Sequence, residues 1–163
     1  MAEILEIDQM LPQAYEPLRQ NKWILEWDGI DQYTVRAFAR PNLSFGEVVL
    51  EYINTKRYFQ GKFEWQTVSL TLVDPIAPSA TQKIMEWVRA GFENVTGRTG
   101  YKEMYVAKNF KLKMLDGPGA VVQMWEFINP FPTSVDFGTL DYGTPDPAQI
   151  VITLRYDMAI LKF

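Results

Sequence analysis

Apolar and polar side chains alternate strictly from residue 67 to residue 72. Every second position is apolar, and the positions between them carry small hydroxyl side chains. The apolar set is Val68, Leu70 and Leu72, and the hydroxyl set is Thr67, Ser69 and Thr71. Successive side chains of a strand point to opposite faces of its sheet, so this stretch predicts a strand with one buried face and one hydrated face. Such a strand is typical of an antiparallel sheet.

Similar patterns, bounded by turn residues, predict two hairpins. The first joins residues 22–28 to residues 33–38. The second joins residues 110–114 to residues 121–128 through the tight turn at residues 116–119, which contains two glycines and a proline.

Three further strands are predicted outside the hairpins. Residues 47–53 form a third strand after the first hairpin, and residues 133–137 form a brief edge strand. The chain closes on one long strand from Ile150 to Ile160, in which the apolar side chains share a face.

One helix is predicted, with Ser79 as its N-cap and its end near Phe92. Its apolar positions recur at spacings of three and four, which places them on one face. They are Ile84, Met85, Val88 and Phe92, whereas Glu86 and Arg89 fall outside this face.

These elements, about eight strands and one helix, predict a mainly β protein: an antiparallel β-sandwich or barrel with one flanking helix. A length of 163 residues, 47% of them apolar, predicts a single domain with a sizeable core. Residues 1–20 form a lead that Pro12 and Pro17 keep from being one continuous helix. The absence of a long apolar run or a secretory leader predicts a protein without a membrane anchor, made in the cytoplasm.

Composition narrows the possible chemistry. The chain has neither His nor Cys, which excludes catalytic triads, thiolate nucleophiles and the usual zinc sites. We therefore predict no enzymatic activity, no metal and no cofactor. An enzyme that uses the carboxylates Glu47 and Glu51 stays as an alternative, as does a lipocalin-like barrel for an apolar ligand. The net charge of −4 disfavours binding of nucleic acid by a basic face.

The segment 54–62 is unusual because three cations and two aromatic side chains stand together in it. They are Lys56, Arg57 and Lys62 with Tyr58 and Phe59. One interpretation is a solvated hairpin tip, the usual place for a charged loop. The other is a protruding arm that contacts another subunit, with the aromatic rings as anchors.

Several residue patterns resemble the tail tube proteins of contractile-tailed bacteriophages. These patterns are Tyr52-x-Asn54-x-Lys56, Gly61-x-Phe63-x-Trp65, the alternating strand to Val73 and the helical Met85-Glu86-Trp87. The resemblance covers most of residues 20–163 and extends to the order of the elements. The long lead and the wide loop at residues 141–147 depart from the family pattern.

The resemblance implies a structural protein of the virion tail, assembled in the host cytoplasm. Such proteins form homohexameric rings that stack into a tube inside a contractile sheath, between a baseplate and a tail terminator. Each subunit adds strands to an inner barrel through which the genome passes during ejection, without specific binding of the DNA. Related roles stay open: a tube initiator, a tail terminator, or the inner tube of a contractile injection or secretion system.

The resemblance favours the arm interpretation and gives residue roles. The predicted inter-subunit contacts are Asn54, Lys56, Arg57, Tyr58, Phe59, Lys62 and Trp65. Trp65 is the only tryptophan assigned to contacts, since the other four fit core packing. The predicted lumen residues are Thr67, Ser69, Thr71, Arg155 and Asp157, although a solvated outer sheet face explains the same alternation. Six copies at −4 each give a ring −24, a charge that repels DNA phosphates.

Overall fold

A computed structural model describes residues 10, 12 and 14–163. Residues 14–163 contain ten strands, two α-helices and one 3-10 turn. The strands are β1 Trp23–Glu26, β2 Val35–Phe38, β3 Leu43–Tyr52, β4 Thr55–Trp65, β5 Val68–Val73, β6 Lys111–Leu115, β7 Val121–Ile128, β8 Phe131–Asp136, β9 Gln149–Arg155 and β10 Met158–Leu161. The helices are α1 Ala80–Gly91 and α2 Lys102–Tyr105, and the 3-10 turn is Gln32–Thr34. No helix in this part of the chain has the length and apolar character needed to cross a membrane.

Two four-stranded antiparallel sheets form the body of the molecule. Sheet A has the strand order β1-β6-β7-β10, and sheet B has the order β2-β5-β9-β8. The predicted class is confirmed: the protein is mainly β, with antiparallel sheets and one main helix. The prediction for residues 1–20 lies partly outside the described residues.

The core fills the space between the sheets with apolar side chains. Sheet B contributes inward-facing residues that are almost fully buried: Val68, Leu70, Leu72, Ile150, Ile152 and Leu154. Sheet A and the loop before β6 contribute Leu25, Phe110, Leu112, Phe127 and Ala159, and α1 adds Ala80 and Ile84. Burying one such Leu or Ile contributes about 1.5–3 kcal/mol. The centre of the sandwich is thus occupied by side chains, which disfavours the alternative of a ligand-holding barrel.

Strands β3 and β4 form a separate two-stranded unit, residues 43–65, which we call the ribbon. The ribbon continues two strands of sheet B. Backbone hydrogen bonds carry the ladder across the junction, from Ala39 N to Ser69 O (3.1 Å) and from Gln66 N to Asn42 O (2.9 Å). The four strands β2, β3, β4 and β5 are therefore one long hairpin, and its outer half leaves the sheet.

The predicted first hairpin is wrong in its pairing. Both strands exist, but β1 pairs with β6 in sheet A and β2 pairs with β5 in sheet B. The 3-10 turn Gln32–Thr34 carries the chain from one sheet to the other. Alternation identifies a strand, but it does not identify the neighbour to which that strand is bonded.

The predicted single final strand is also wrong, because it is divided between the sheets. Strand β9 belongs to sheet B and β10 to sheet A, with a break at Tyr156 and Asp157. The break resets the alternation. Ala159 is buried, whereas Met158 and Ile160, which the pattern places on the core face with Ile150, are exposed.

The predicted third strand and the predicted polar segment both lie in the ribbon, with bounds that differ from the prediction. The strand predicted at residues 47–53 is part of β3 except for Ile53, which lies in the turn, and the segment 54–62 covers the rest of the turn and most of β4. The second hairpin, β6–β7, is confirmed, and Asp116 Oδ1 accepts hydrogen bonds from the amides of Gly119 and Ala120 in its turn. The predicted edge strand is confirmed as β8, which pairs only with β9 among the described strands.

The helix is confirmed, with a different cap. Ser79 occupies the N-cap position, but its side chain makes no capping hydrogen bond. Asp74 takes that role, accepting hydrogen bonds from the amides of Ala80 (3.0 Å) and Thr81 (3.3 Å). Phe92 lies just beyond the helix and is exposed.

Candidate assembly surfaces

The ribbon exposes large apolar side chains that nothing in the described chain covers. Every residue from Ser44 to Gln60 is exposed. Leu50 is 56% exposed, Phe59 50% and Tyr52 74%. Monomeric proteins rarely leave a continuous apolar surface in water, so this exposure indicates an interaction site.

The strand register assigns these side chains to two faces. Directly opposed residues of an antiparallel pair share a face. One face of the outer ribbon carries the opposed pairs Val48–Phe59 and Leu50–Arg57. The other face carries the opposed pairs Val49–Tyr58 and Glu51–Lys56. Each face thus combines apolar side chains with a cation. A single contact surface can cover only one of the two faces.

The predicted arm residues divide between these faces. Arg57 and Phe59 lie on the first face, and Lys56 and Tyr58 lie on the second. Asn54 lies in the turn beside Ile53, whose φ of 52° is a rare conformation for a β-branched residue. The structure brings all of the arm residues into one strand and its turn.

The charged arm residues differ in whether they form an ion pair within the described chain. Lys56 Nζ lies 3.0 Å from Glu51 Oε1, and both side chains are exposed. None of the six ion pairs found between described residues includes Arg57 or Lys62. Two cations of the ribbon are therefore uncompensated within the described chain.

Half of the exposed surface was missed by the sequence interpretation. Strand β3 contributes Val48, Val49, Leu50 and Tyr52, which the pattern assigns to an ordinary third strand, and Phe45, which lies outside every predicted strand. The available signal was the run Val48-Val49-Leu50, which breaks the alternation expected of a strand with one wet face.

The base of the ribbon is fixed to the body. The ring of Trp65, which is half-buried against the core, lies 6.0 Å from that of Tyr156. Burial raises the pKa of the Tyr156 phenol. The predicted contact residue Trp65 thus also packs on its own subunit.

A close backbone approach marks the boundary of the outer ribbon. A register shift between Phe45 and Glu47 interrupts the ladder. At this shift a Cβ on Gly61 would lie 2.9 Å from the carbonyl carbon of Gly46, which is too close for any side chain. Glycine is required at position 61 because the strands approach so closely.

The outer face of sheet B carries a group of small polar side chains, with Val151 exposed among them. Ser69 lies opposite Thr153, and Thr153 lies opposite Ser134 on β8. Thr71 lies in the next row, and Thr67 precedes the strand as an exposed residue. This face has few charges: Arg36, Asp136 and Arg155.

Two of the predicted lumen residues have partners. Arg155 donates a hydrogen bond to Glu64 Oε1 at 2.7 Å, which neutralises its charge at the base of the ribbon. Asp157 lies beyond β9, where it pairs with Lys102 at 2.8 Å and accepts a hydrogen bond from Asn129. The hydrogen bond from Lys102, and then that from Asn129, lower the pKa of Asp157. The structure therefore separates Asp157 from Thr67, Ser69 and Thr71.

The outer face of sheet A has a different character, because charged side chains of both signs pair across its strands. Glu26 pairs with Lys113, and Glu126 pairs with Lys162 at 2.9 Å. The hydrogen bond from Lys113 lowers the pKa of Glu26, and that from Lys162 lowers the pKa of Glu126. This face is hydrated and internally neutralised.

Among the described strands, β2 and β8 are the two free edges of sheet B, and they run in opposite directions. Each of its four strands is antiparallel to the next. Beside the β8 edge lies an apolar groove of about 660 Å³ between that strand and α1. Its aromatic lining residues are Trp87, Phe92, Tyr105, Phe131 and Phe137. A free strand edge beside an apolar groove is the arrangement that accepts an added strand.

The carboxylates Glu47 and Glu51 show no features of a catalytic pair. Both lie on the second face of the ribbon and are exposed, and Glu51 already pairs with Lys56. Residues 14–163 contain no cluster of three carboxylates that could hold a metal ion.

Comparisons with known proteins identify the fold. No protein-family model and no curated protein sequence matches the chain. A chain of the anti-feeding prophage cap, the AFP tube terminating cap, superposes with a TM-score of 0.73 at 17% identity, covering 91% of this chain and 92% of that chain. A chain of the sheath/tube terminator of the PVC extracellular contractile injection system gives 0.73 at 15% identity, covering 92% and 99%. A chain of the PVC sheath-tube complex gives 0.71 at 15% identity, covering 98% and 99%. The fold is therefore that of tube and tube-terminator proteins of contractile systems.

Proposed function

We propose that this protein is the subunit of the inner tube of a contractile, phage-tail-like particle, in which hexameric rings stack head to tail. One observation carries the proposal: large apolar side chains are exposed at both ends of sheet B. Leu50 and Phe59 on the ribbon extend beyond one end, and Ile76, Leu140 and Tyr142 lie at the other. A subunit with apolar side chains to cover at both ends is expected to have a neighbouring ring on each side, as it does inside a stack.

Ring formation uses the two free edges of sheet B. Because β2 and β8 run in opposite directions, a second copy related by rotation about the ring axis places its β2 antiparallel to β8. This contact is head-to-tail, so repeating it closes a ring when the rotation is suitable. Closure removes the exposed strand edges, which otherwise favour uncontrolled aggregation.

Stacking uses the ribbon. The ribbon continues β2 and β5 along their own direction, so it leaves sheet B through its end and not through its edge. In a barrel the strands are tilted by roughly 35–45° from the axis. The ribbon therefore reaches toward the next ring, where Phe59 on its first face and Tyr58 on its second face anchor against separate surfaces.

The outer face of sheet B forms the lumen wall in this proposal. Its small hydroxyl side chains, Thr67, Ser69, Thr71, Ser134 and Thr153, present a hydrated surface with little charge. A wall without a basic patch does not retain nucleic acid, because Lys and Arg contacts are what bind phosphate. The tube is thus suited to genome passage, and a protein cargo is the alternative that the injection-system relatives suggest.

The remaining surfaces are assigned by the same geometry. The outer face of sheet A and α1 lie away from the lumen and face the sheath. Baseplate and terminator proteins contact the end rings. In this role the chain performs no catalysis.

A tube terminator is the second candidate, because terminators share this fold. A terminator needs a stacking surface on one end only. The apolar side chains exposed at both ends favour the tube subunit.

Negative-stain microscopy of the purified protein tests the proposal. We expect six-fold rings and hollow rods of indefinite length. Isolated rings that never stack would favour the terminator, and a monomer at all concentrations would contradict both functions.

A further inference from the structure

The two ends of sheet B differ in charge as well as in shape. The ribbon leaves one end, where β2 ends and β5 begins. At the opposite end lies the loop at residues 138–148, which we call the distal loop. The distal loop is joined to the end of β5 by the hydrogen bond from Asp74 N to Ala148 O at 3.0 Å.

The first face of the ribbon is apolar and carries one cation, Arg57. Leu50 and Phe59 share a face with Arg57, which has no ion-pair partner in the described chain. Lys62, nearer the base, is equally unpaired among the described residues. The first face of the ribbon thus offers apolar side chains beside one unpaired cation.

The distal loop end is apolar and anionic. Its cup of about 590 Å³ is lined by Leu140, Tyr142, Asp141 and Asp146, among others, and Asp136 lies at the adjoining strand end. Leu140 is 91% exposed, and Tyr142 is fully exposed. No Lys or Arg occurs between residues 133 and 154.

These carboxylates bond only to their own loop. Asp136 accepts a hydrogen bond from the Gly138 amide at 2.8 Å, and Asp141 accepts one from the Gly143 amide at 2.9 Å. Neither carboxylate, nor that of Asp146, forms an ion pair with a described residue.

We infer that the first face of the ribbon docks on the distal loop of a second copy of this chain in the next ring. This inference rests on the proposed tube function and names the surface that the ribbon binds. Phe59 and Leu50 cover Leu140 and Tyr142, while Arg57 meets Asp141 and Asp146. The distal loop thereby provides the specificity of stacking.

The charge distribution also sets the polarity of the stack. A contact between the first faces of two ribbons brings two Arg57 side chains together, and a contact between two distal loops brings carboxylates together. Both arrangements are repulsive, and only the head-to-tail contact pairs opposite charges. Because exposed charges are screened by salt, high NaCl concentration slows stacking without unfolding the subunit.

Charge reversal of the two surfaces, separately and together, tests the inference. The variants are Asp141→Lys/Asp146→Lys, Arg57→Glu, and all three substitutions in one chain. Glu86→Lys, on the exposed face of α1, is a control for altered charge. Circular dichroism verifies folding, and light scattering with microscopy measures rod growth in low salt.

We expect the loop variant and Arg57→Glu each to lower the growth rate about tenfold or more, because several like-charge contacts recur in every ring. The triple variant recovers growth, and Glu86→Lys grows like the wild type. Growth of the loop variant at the wild-type rate, or failure of the triple variant to recover, overturns the inference while leaving the tube function intact. A wild-type chain that never associates contradicts the tube function itself.

Discussion

Arg155 on β9 donates a hydrogen bond to Glu64 on β4 across 2.7 Å, joining the body of the sheet to the base of the ribbon. Both side chains are partly exposed, at 37% and 65%. The bond limits movement of the ribbon relative to sheet B, although solvent screens the interaction.

We predict that the Arg155–Glu64 pair contributes little to folding. In a double-mutant cycle of Arg155→Gln and Glu64→Gln, the coupling free energy of unfolding should be below about 1 kcal/mol, because the pair is solvated. Urea denaturation of the four proteins measures it. A coupling of several kcal/mol would contradict this assignment and imply that the ribbon folds as part of the core.

The division between body and ribbon predicts that two Leu→Ala substitutions affect different properties, one the stability of the fold and the other assembly. Leu154→Ala, at a fully buried position, should lower the free energy of unfolding by about 2–5 kcal/mol. Leu50→Ala, on the exposed ribbon, should change it by less than about 0.5 kcal/mol yet slow assembly. Chemical denaturation and light scattering separate the two effects, and a strongly destabilised Leu50→Ala variant would argue against a free ribbon.

Replacing both Tyr58 and Phe59 with Ser should leave a folded monomer that forms no rods. The side chains are exposed and lie on opposite faces of the ribbon, so neither substitution removes core packing. Sizing chromatography and microscopy provide the measurement. The single variants show which face carries more of the contact, and rod formation by the double variant would refute the role of the ribbon.

The helix cap allows a matched comparison. Asp74→Ala should lower the free energy of unfolding by about 0.5–2 kcal/mol, because its carboxylate accepts two amide hydrogen bonds at the start of α1. Ser79→Ala should have a much smaller effect, since the Ser79 side chain makes no capping bond. Thermal or urea unfolding of both variants tests this, and equal losses would contradict the observed geometry.

Acid should destabilise the fold through carboxylates that are paired in the native state. The pKa of Asp31 is lowered mainly by its hydrogen bond from Lys83, and those of Glu26, Glu126 and Asp157 are lowered by hydrogen bonds from their lysine partners. A lowered native pKa means that the unfolded chain binds more protons in acid. The stabilisation is therefore complete above the unfolded value, about pH 4, and is lost as the pH falls toward the native pKa.

Urea unfolding at pH 7 and pH 3 measures this loss. Asp157→Asn, which removes one titrating carboxylate, should show a smaller difference in unfolding free energy between the two pH values. Equal stability of the wild type at both pH values would contradict the prediction.

Sequence patterns identify the strands but not all of their partners. The hairpin β6–β7 is predictable because its turn contains residues with one preferred geometry, and the core of β5 is predictable from alternation. The pairing of β1 and β2 is not, since local pattern carries no information on which strand lies alongside. The break at Asp157 is hidden because alternate apolar positions continue through Met158 and Ile160, which turn outward.

The candidate surfaces are predictable in part for the same reason. The cations and aromatic rings of residues 54–62 indicate a contact surface by their composition alone. The role of β3 is hidden because exposed Val48, Val49 and Leu50 have the composition of a core strand. Which residues lie at opposite ends of sheet B depends on topology, so local sequence does not reveal the relation between the ribbon and the distal loop.

The central claim is that β2 of one copy pairs with β8 of the next. Cross-linking of these two edges tests it most directly. The chain has no cysteine, so Ala37→Cys on β2 and Ser134→Cys on β8 introduce the only thiols. Bismaleimide cross-linkers of graded length can report the contact without exact register. We predict a ladder of cross-linked species that ends at the hexamer. The two single-cysteine chains are the controls. If the double-cysteine chain is folded but gives no more cross-linked product between copies than these controls, the account is contradicted.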